Sequence, residues 1–288
     1  MNINSEFYQM IFKRKSFHLF RDTGDLDISA AEIQKIYETY STLVPLYPDI
    51  KTAIRILPAG ETGCRRGEQY CIMMYSEKKD NYLRNIGYLG EQLDLYLVSQ
   101  NIGTLWYGIG KPDRPVVYGL DFVIMLAVSK IDDEKKFRKD MFRSKRKTPE
   151  EIWSGAHIQG ITEIVRFAPS ACNTQPWMVE NSHGIMNVYR IKKEGKRGIM
   201  PANKVSFYNQ IDMGIFLCFL DLCLQHNKIG YQVTLHTDPG SDAQKTKTAT
   251  YRILLRKYSS EEQSLQGHKK SKVHPPWILL LFNCSTCF

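Results

Sequence analysis

The sequence predicts an α+β protein made of two tandem α/β repeats, each with a mainly antiparallel sheet and a long central helix, forming an internal pseudo-dimer. The first observation is self-similarity. At an offset of 127 residues, IGYLGEQLDLYLVSQNIG (86–103) lies over MGIFLCFLDLCLQHNKIG (213–230) with seven of eighteen positions identical. The identities include Gly87/Gly214, Gly103/Gly230 and the core Leu93-Asp94-Leu95-x-Leu97 over Leu220-Asp221-Leu222-x-Leu224. The second observation is periodicity: the leucines recur at helical spacing, and each helix stops at a glycine suited to a C-terminal cap. The third is the flanks, which repeat with the helix.

In chain order, each half reads helix, strand, strand, long helix, strand. TAIRIL and QYCIMMYS precede the first long helix and DFVIMLAVSK follows it; PWMVEN, IMNVYRI and TATYRILLRKY are their counterparts. All are rich in Val, Ile, Tyr and Met, as strands are. The helix of the second half that precedes its strands is read over HIQGITEIVRF (157–167). MGIFLCFLDLCL is apolar nearly all round, which requires burial on most of its surface. Asp94 and Asp221 then need buried hydrogen-bond partners and take a capping or structural role. Thr148-Pro149-Glu150-Glu151 reads as a helix start and marks the boundary near residue 150. The expected organisation is residues 1–150 as the first half, 151–266 as the second and 267–288 as an appended tail. Cys284-x-x-Cys287 in that tail is one ligand pair where a zinc site takes about four ligands, so no metal site is expected.

The composition fits this class. The chain has 288 residues, 43% hydrophobic and 24% charged, with too little Gly (19), Pro (12) and Cys (7) for fibrous, disordered or disulfide-knot classes. The N-terminal segment lacks a secretory pattern, and no apolar run approaches the roughly 20 residues of a spanning helix. Seven cysteines without framework spacing suit free thiols. These features point to the cytoplasm and away from a membrane partner. The net charge of +9 is concentrated in residues 135–147, KKFRKDMFRSKRK, where eight basic residues stand against one Asp. Such a run is either a solvated surface segment or a phosphate-binding one. No base-reading motif accompanies it, so a nucleic-acid partner is not expected.

One segment carries chemistry. Ala168-Pro169-Ser170-Ala171-Cys172-Asn173-Thr174-Gln175-Pro176-Trp177 stands between a helix and a strand. Pro, Ser and Asn are turn formers, and a helix-terminating turn is its plain reading. Its amides, hydroxyl and adjoining flat ring are also the groups a heteroaromatic ring with carbonyl and imide edges requires.

This segment resembles the Ser-x-x-Asn-x-Gln-Pro-Trp signature of the nitroreductase family of FMN flavoproteins. Phe12-Lys13-Arg14-Lys15-Ser16-Phe17 is similar to the family's opening Arg-Arg-Ser element, and Gly103-Thr104-Leu105-Trp106-Tyr107-Gly108 to its Gly-Thr-x-Trp-x-Gly. The resemblance covers residues 8 to about 258. It implies a nitroreductase-like fold, with Arg14 and Ser16 on the FMN phosphate and Lys15 at the ribityl chain or pyrimidine edge. It implies backbone N–H groups of Gly108 and Ile109 near the reactive edge of the ring. Pro169, Ser170, Ala171, Asn173 and Gln175 would hold the ring or ribityl chain, with Trp177 packed beneath. Lys145-Arg146-Lys147, before Pro149-Glu150-Glu151, is similar to a basic segment reaching the phosphate, with Lys145 and Arg146 as its binding residues.

Family members are usually homodimers with sites shared between subunits, and this chain is similar to a fused, single-chain branch. Pro45 lies opposite Pro169, but LYPDIKTAIRI follows it with no Asn-x-Gln and no Trp; the second half has YQVTLH where the first has TLWYG. Each half keeps what the other lost, which implies one FMN site at the junction. A monomer suffices for that site, with a homo-oligomer as the alternative. The implied reaction is ping-pong reduction of nitroaromatics, quinones or similar flat small-molecule acceptors by NADH or NADPH, no side chain being nominated as acid or base because the flavin carries the chemistry. The alternative from another class is a flavin-binding sensor or carrier without turnover.

Overall fold

The structure, a computed structural model, describes residues 3–192, 198, 200–240 and 243–254. The expected tail 267–288 lies outside the described residues. Residues through Leu254 form one compact unit. In order come α1 (Phe7–Lys13), α2 (Ala30–Thr42), β1 (Thr52–Pro58), β2 (Tyr70–Ser76), α3 (Tyr82–Ser99), β3 (Ile102–Tyr107), β4 (Val116–Val117) and β5 (Leu120–Lys130). There follow α4 (Pro149–Ile152), β6 (Trp153–Gly155), α5 (Thr162–Val165), β7 (Trp177–Ser182), β8 (Ile185–Ile191), α6 (Val205–His226), β9 (Tyr231–Leu235) and β10 (Lys245–Ile253).

Two five-stranded sheets result. One runs β1-β2-β5-β3 with β4 on β5, all antiparallel; the other runs β6-β7-β8-β10-β9, antiparallel except for the parallel β6–β7 pair. The antiparallel α+β class is therefore as expected. Two strands add to the expected set: β3 and β9, each directly following a long helix. The helix expected over 157–167 is a single turn at α5, because Gly160 holds a φ of +73° on one side and the Pro169 turn closes the other. Helix starts follow their signals: Ser29 and Glu32 form a capping box on α2, and Thr148 and Glu151 do so on α4 with Pro149 in its first turn.

The centre of the molecule is the packing of α3 against α6. Every residue of α6 from Ile211 to Leu224 is buried, as its all-round apolar pattern requires. The helices approach through glycine. A Cβ on Gly87 would stand 2.0 Å from the Ile211 carbonyl oxygen, and one on Gly214 2.0 Å from the Arg84 carbonyl oxygen. Both buried aspartates have partners. Asp94 accepts from Arg14 Nε (2.8 Å), Thr104 Oγ1 (2.5 Å) and Trp106 Nε1 (3.0 Å), and Asp221 accepts from Tyr88 Oη (2.5 Å). Trp177 is buried against Phe216 with ring centroids 4.9 Å apart, beneath the loop that precedes it. By length and composition α6 could cross a membrane, yet it is mostly buried inside the protein.

Candidate functional site

The chain leaves α1 at Arg14 in extended conformation, and Ser16 forms a parallel bridge to Thr104 of β3, with Phe17 N donating to Thr104 O at 2.9 Å. The basic-hydroxyl element is thus laid beside the strand that ends in Tyr107-Gly108-Ile109. A cavity of about 280 Å³ opens there. Ser16 and His18 contribute from the first element, Leu105 to Ile109 from β3 and its exit, Pro169 to Cys172 from the turn before β7, and Tyr208, Ile211, Asp212 and Ile215 from α6. Its wall is mostly apolar, with a few convergent polar groups, as small-molecule sites are. Tyr208 Oη donates to the Gly108 carbonyl at 2.6 Å, and a Cβ on Gly108 would come within 2.6 Å of the Tyr208 ring. This close approach explains the glycine.

The turn at 170–175 is held under backbone strain. Cys172, Asn173 and Gln175 have φ of 49°, 55° and 48°, a left-handed conformation costly for side chains other than Gly and Asn. Several hydrogen bonds hold it: Ala171 N to Asp212 Oδ1 (2.9 Å), Gln175 N to Ser170 Oγ (3.0 Å) and Asn173 Nδ2 to Lys145 O (3.1 Å). Lys147 N donates to Gln175 Oε1 and Lys147 Nζ to Gln175 O, both at 2.8 Å, and Arg146 donates to Asn173 Oδ1. The two amides of the signature therefore anchor residues 145–147 of the basic run, and their side chains do not line the cavity.

That anchoring assembles a cationic cluster beside the cavity. Arg14 is 2% exposed; burial opposes its charge, but Asp94 and Glu91 outweigh this and hold its pKa above the ordinary value. Its Nη1 also lies 3.4 Å from Ser16 Oγ. Arg138 is lowered to about 10 by burial and by the field of Arg14. Arg146 is also lowered to about 10, by burial and then by Arg14, Arg138 and Arg166, with Asp212 pulling the other way. Its Nε is buried with no hydrogen-bond partner among the described residues. Neither Arg138 nor Arg146 has a salt-bridge carboxylate among the described residues. Cations crowded together and partly desolvated gain most from an anion placed between them.

Of the residues nominated from sequence, Ser16, Gly108, Ile109, Pro169, Ser170 and Ala171 line the cavity. Arg14 lies behind it, committed to Asp94; Arg146 joins the cationic cluster; Asn173 and Gln175 brace the basic segment. Lys15 is exposed, with Nζ on the Lys136 carbonyl at 2.9 Å, and Lys145 is exposed, contributing its carbonyl. Sequence reasoning missed Arg66, Arg138, Met200, Tyr208 and Asp212. Asp212 is 3% exposed, and burial pushes its pKa up to about 8 against the Ala171 N–H, the Thr174 hydroxyl and Arg146. A usable signal existed for it: at the repeat offset of 127 its counterpart is the polar Asn85.

A half-buried arginine whose Nε is buried and unpartnered among the described residues, its neighbour Arg138 and an apolar slot lined by Ser16 and Gly108 fit a phosphorylated flat heteroaromatic group such as FMN. Comparison with known proteins places the chain. No curated protein sequence matches it. A crystal structure of a "putative nitroreductase" from Thermotoga maritima msb8 is 18% identical, with a TM-score of 0.57 over 86% of this chain and 93% of that one, which shows the same fold. A nitroreductase family protein from Clostridium difficile 630 is 10% identical, with a TM-score of 0.41 over 55% of this chain and all of that one. A "putative nitroreductase in complex with FMN" from Desulfovibrio desulfuricans is 15% identical, with a TM-score of 0.36 over 53% and 98%. Residues 6–223 match the family model described as "Putative TM nitroreductase", and the chain belongs to that nitroreductase family.

Proposed function

We propose that the chain is an FMN-dependent oxidoreductase that accepts hydride from NADH or NADPH and passes it, in ping-pong order, to flat acceptors such as nitroaromatics and quinones. The observation that carries this reading is the cavity lined by Ser16, Gly108 and Asp212 together with the arginine cluster linked to it, Arg14 through Ser16 and Arg146 through Asp212, in which Arg138 and Arg146 are partly desolvated cations without salt-bridge partners among the described residues. The FMN phosphate would lie among these cations, with Arg14 behind them and Ser16 alongside. The ring would lie in the slot between Gly108-Ile109 and Pro169-Ser170-Ala171. FMN, when bound, supplies the electron transfer. The protein binds and orients it, and the backbone N–H groups after β3 stabilise negative charge on the reduced ring.

In the same reading the chain is a fused pseudo-dimer, with halves at 1–150 and 151–266 and one site at their junction. Reciprocity supports it: Gly87 meets residue 211 and Gly214 meets residue 84, and 87 and 84 become 214 and 211 at the 127-residue offset. Such mutual contacts characterise an isologous interface. The turn contacts are paired too, since Ala171 N donates to Asp212 Oδ1 and Tyr47 N to Asn85 Oδ1, both at 2.9 Å. The pseudo-equivalent site is closed. Where the cavity has Ala171 and Ile211, the other half has Tyr47 and Arg84. Arg84 donates to the carbonyls of Thr248 and His236, each at 2.6 Å, and its guanidinium lies 5.5 Å from the Tyr47 ring centre. A monomer then holds one complete site. The five described cysteines are all free thiols, which accords with a cytoplasmic setting.

Steady-state oxidation of NADH and NADPH by FMN-loaded protein, with 1,4-benzoquinone or a nitroaromatic as acceptor, tests the activity. Parallel-line double-reciprocal plots are expected. Bound FMN without turnover would replace the enzyme with a flavin carrier.

A further inference from the structure

Asp212 lies two turns into α6 and forms part of the cavity wall. One carboxyl oxygen is committed, since Oδ1 accepts the Ala171 N–H at 2.9 Å. The other, Oδ2, is buried without a hydrogen bond of good geometry. A buried polar atom left so costs roughly 1–3 kcal/mol; Asn85 Nδ2, at the repeat-related position, is left the same way, so what sets Asp212 apart is its carboxyl and its place on the cavity wall.

The other half of the molecule is an internal control. Asn85, at the same repeat position, accepts the Tyr47 N–H at 2.9 Å through its amide oxygen. An amide therefore suffices to pin this turn. Where Arg84 and Tyr47 fill the space, the residue is an amide; where the cavity is open, it is a carboxyl. What the carboxyl adds at that position is the capacity to carry a proton.

We propose that the Asp212 carboxyl is the proton source of the cavity, handing its proton to the acceptor that receives the hydride. The inference rests on the flavin reading above. A quinone becomes a hydroquinone by gaining two electrons and two protons. Hydride, originating from NAD(P)H, supplies both electrons and one proton. The Asp212 O–H bond breaks, its proton goes to a quinone oxygen, and the carboxylate left behind is reprotonated from water. The pKa of about 8 keeps the group protonated at neutral pH: burial raises it, and the Ala171 N–H, the Thr174 hydroxyl and Arg146 only partly offset this. The other titratable groups around the cavity are Cys172 on the turn, Tyr208 on the same helix, Tyr107 at the end of β3, and His18 and Arg66.

The test is Asp212→Asn, which keeps the turn contact that Asn85 makes with an amide. Two readouts are taken from about pH 6 to pH 10. Infrared difference spectroscopy should show, in the wild type, the carbonyl band of a protonated carboxylic acid that disappears with a midpoint near pH 8 and is missing from D212N. Stopped-flow reoxidation of the reduced, FMN-loaded protein by 1,4-benzoquinone should be ~100-fold slower in D212N at pH 7, the scale of general-acid catalysis. The wild-type rate should fall above pH 8, whereas the D212N rate should lack that break. Wild-type reoxidation rates with an unchanged pH profile in D212N, or no protonated carboxyl at pH 7 in the wild type, would overturn the proposal. A wild-type protein that takes up no FMN overturns the flavin reading as well, and its absorption spectrum reveals this before any variant is made.

Discussion

Arg146 stands where the amide signature, the basic run and the cavity meet. It donates to Asn173, feels the charges of Arg14, Arg138 and Arg166, and keeps an unpartnered Nε. Arg146→Ala should weaken FMN binding by roughly 10- to 100-fold, the scale of a lost charge-assisted hydrogen bond, as read by flavin fluorescence titration. Lys145→Ala should change it less than about threefold, because that side chain is exposed and its carbonyl makes the structural contact. Asp212 makes a stability prediction too. Its folded pKa of about 8 lies above the ordinary 3.8, so the folded state binds the extra proton between those values. Stability contributed by this group is therefore complete at low pH and is lost as pH rises through the folded pKa, by an amount on the order of a few kcal/mol. The melting temperature of D212N should fall less between pH 5 and pH 9 than that of the wild type; equal falls would remove Asp212 as the cause.

At the scale of elements, the crossing of α3 and α6 depends on two absent side chains. Gly214→Ala would drive a methyl group into the Arg84 carbonyl oxygen, and backbone cannot yield as a flexible side chain does. A loss of about 1–3 kcal/mol or more is expected in urea unfolding, and an unchanged midpoint would contradict the contact. This crossing was legible because one sequence pattern recurs with both glycines in phase. Other elements were less so. GTLWYG was legible as a motif but carried no strand assignment; its backbone completes a sheet edge as β3 while Gly108 takes up the close approach of Tyr208. The apolar pattern of 157–167 suggested a helix, but Gly160 at positive φ leaves room for one turn. Asn173 and Gln175 stand out in the sequence by type, but their side chains turn to residues 145–147 and do not line the cavity. The pairing of their amides with residues 145–147 joins segments 28 positions apart, and no local pattern encodes that.

For the whole molecule, the proposed fused pseudo-dimer turns on what fills the two spaces that the repeat would relate. Ala171 and Ile211 line the cavity; at the positions the repeat would relate to them stand Tyr47 and Arg84, and Arg84 is held by two carbonyls. The sequence carries motif elements lost in complementary fashion, whereas the contacts of Arg84 with the Thr248 and His236 carbonyls join positions more than 150 residues apart and no local pattern encodes them. The central claim is one FMN site per chain. Its most direct measurement is the amount of FMN released on denaturing purified, FMN-saturated protein of known concentration. One FMN per chain is predicted. Two per chain would contradict the closed second site, and none would contradict the flavin assignment itself.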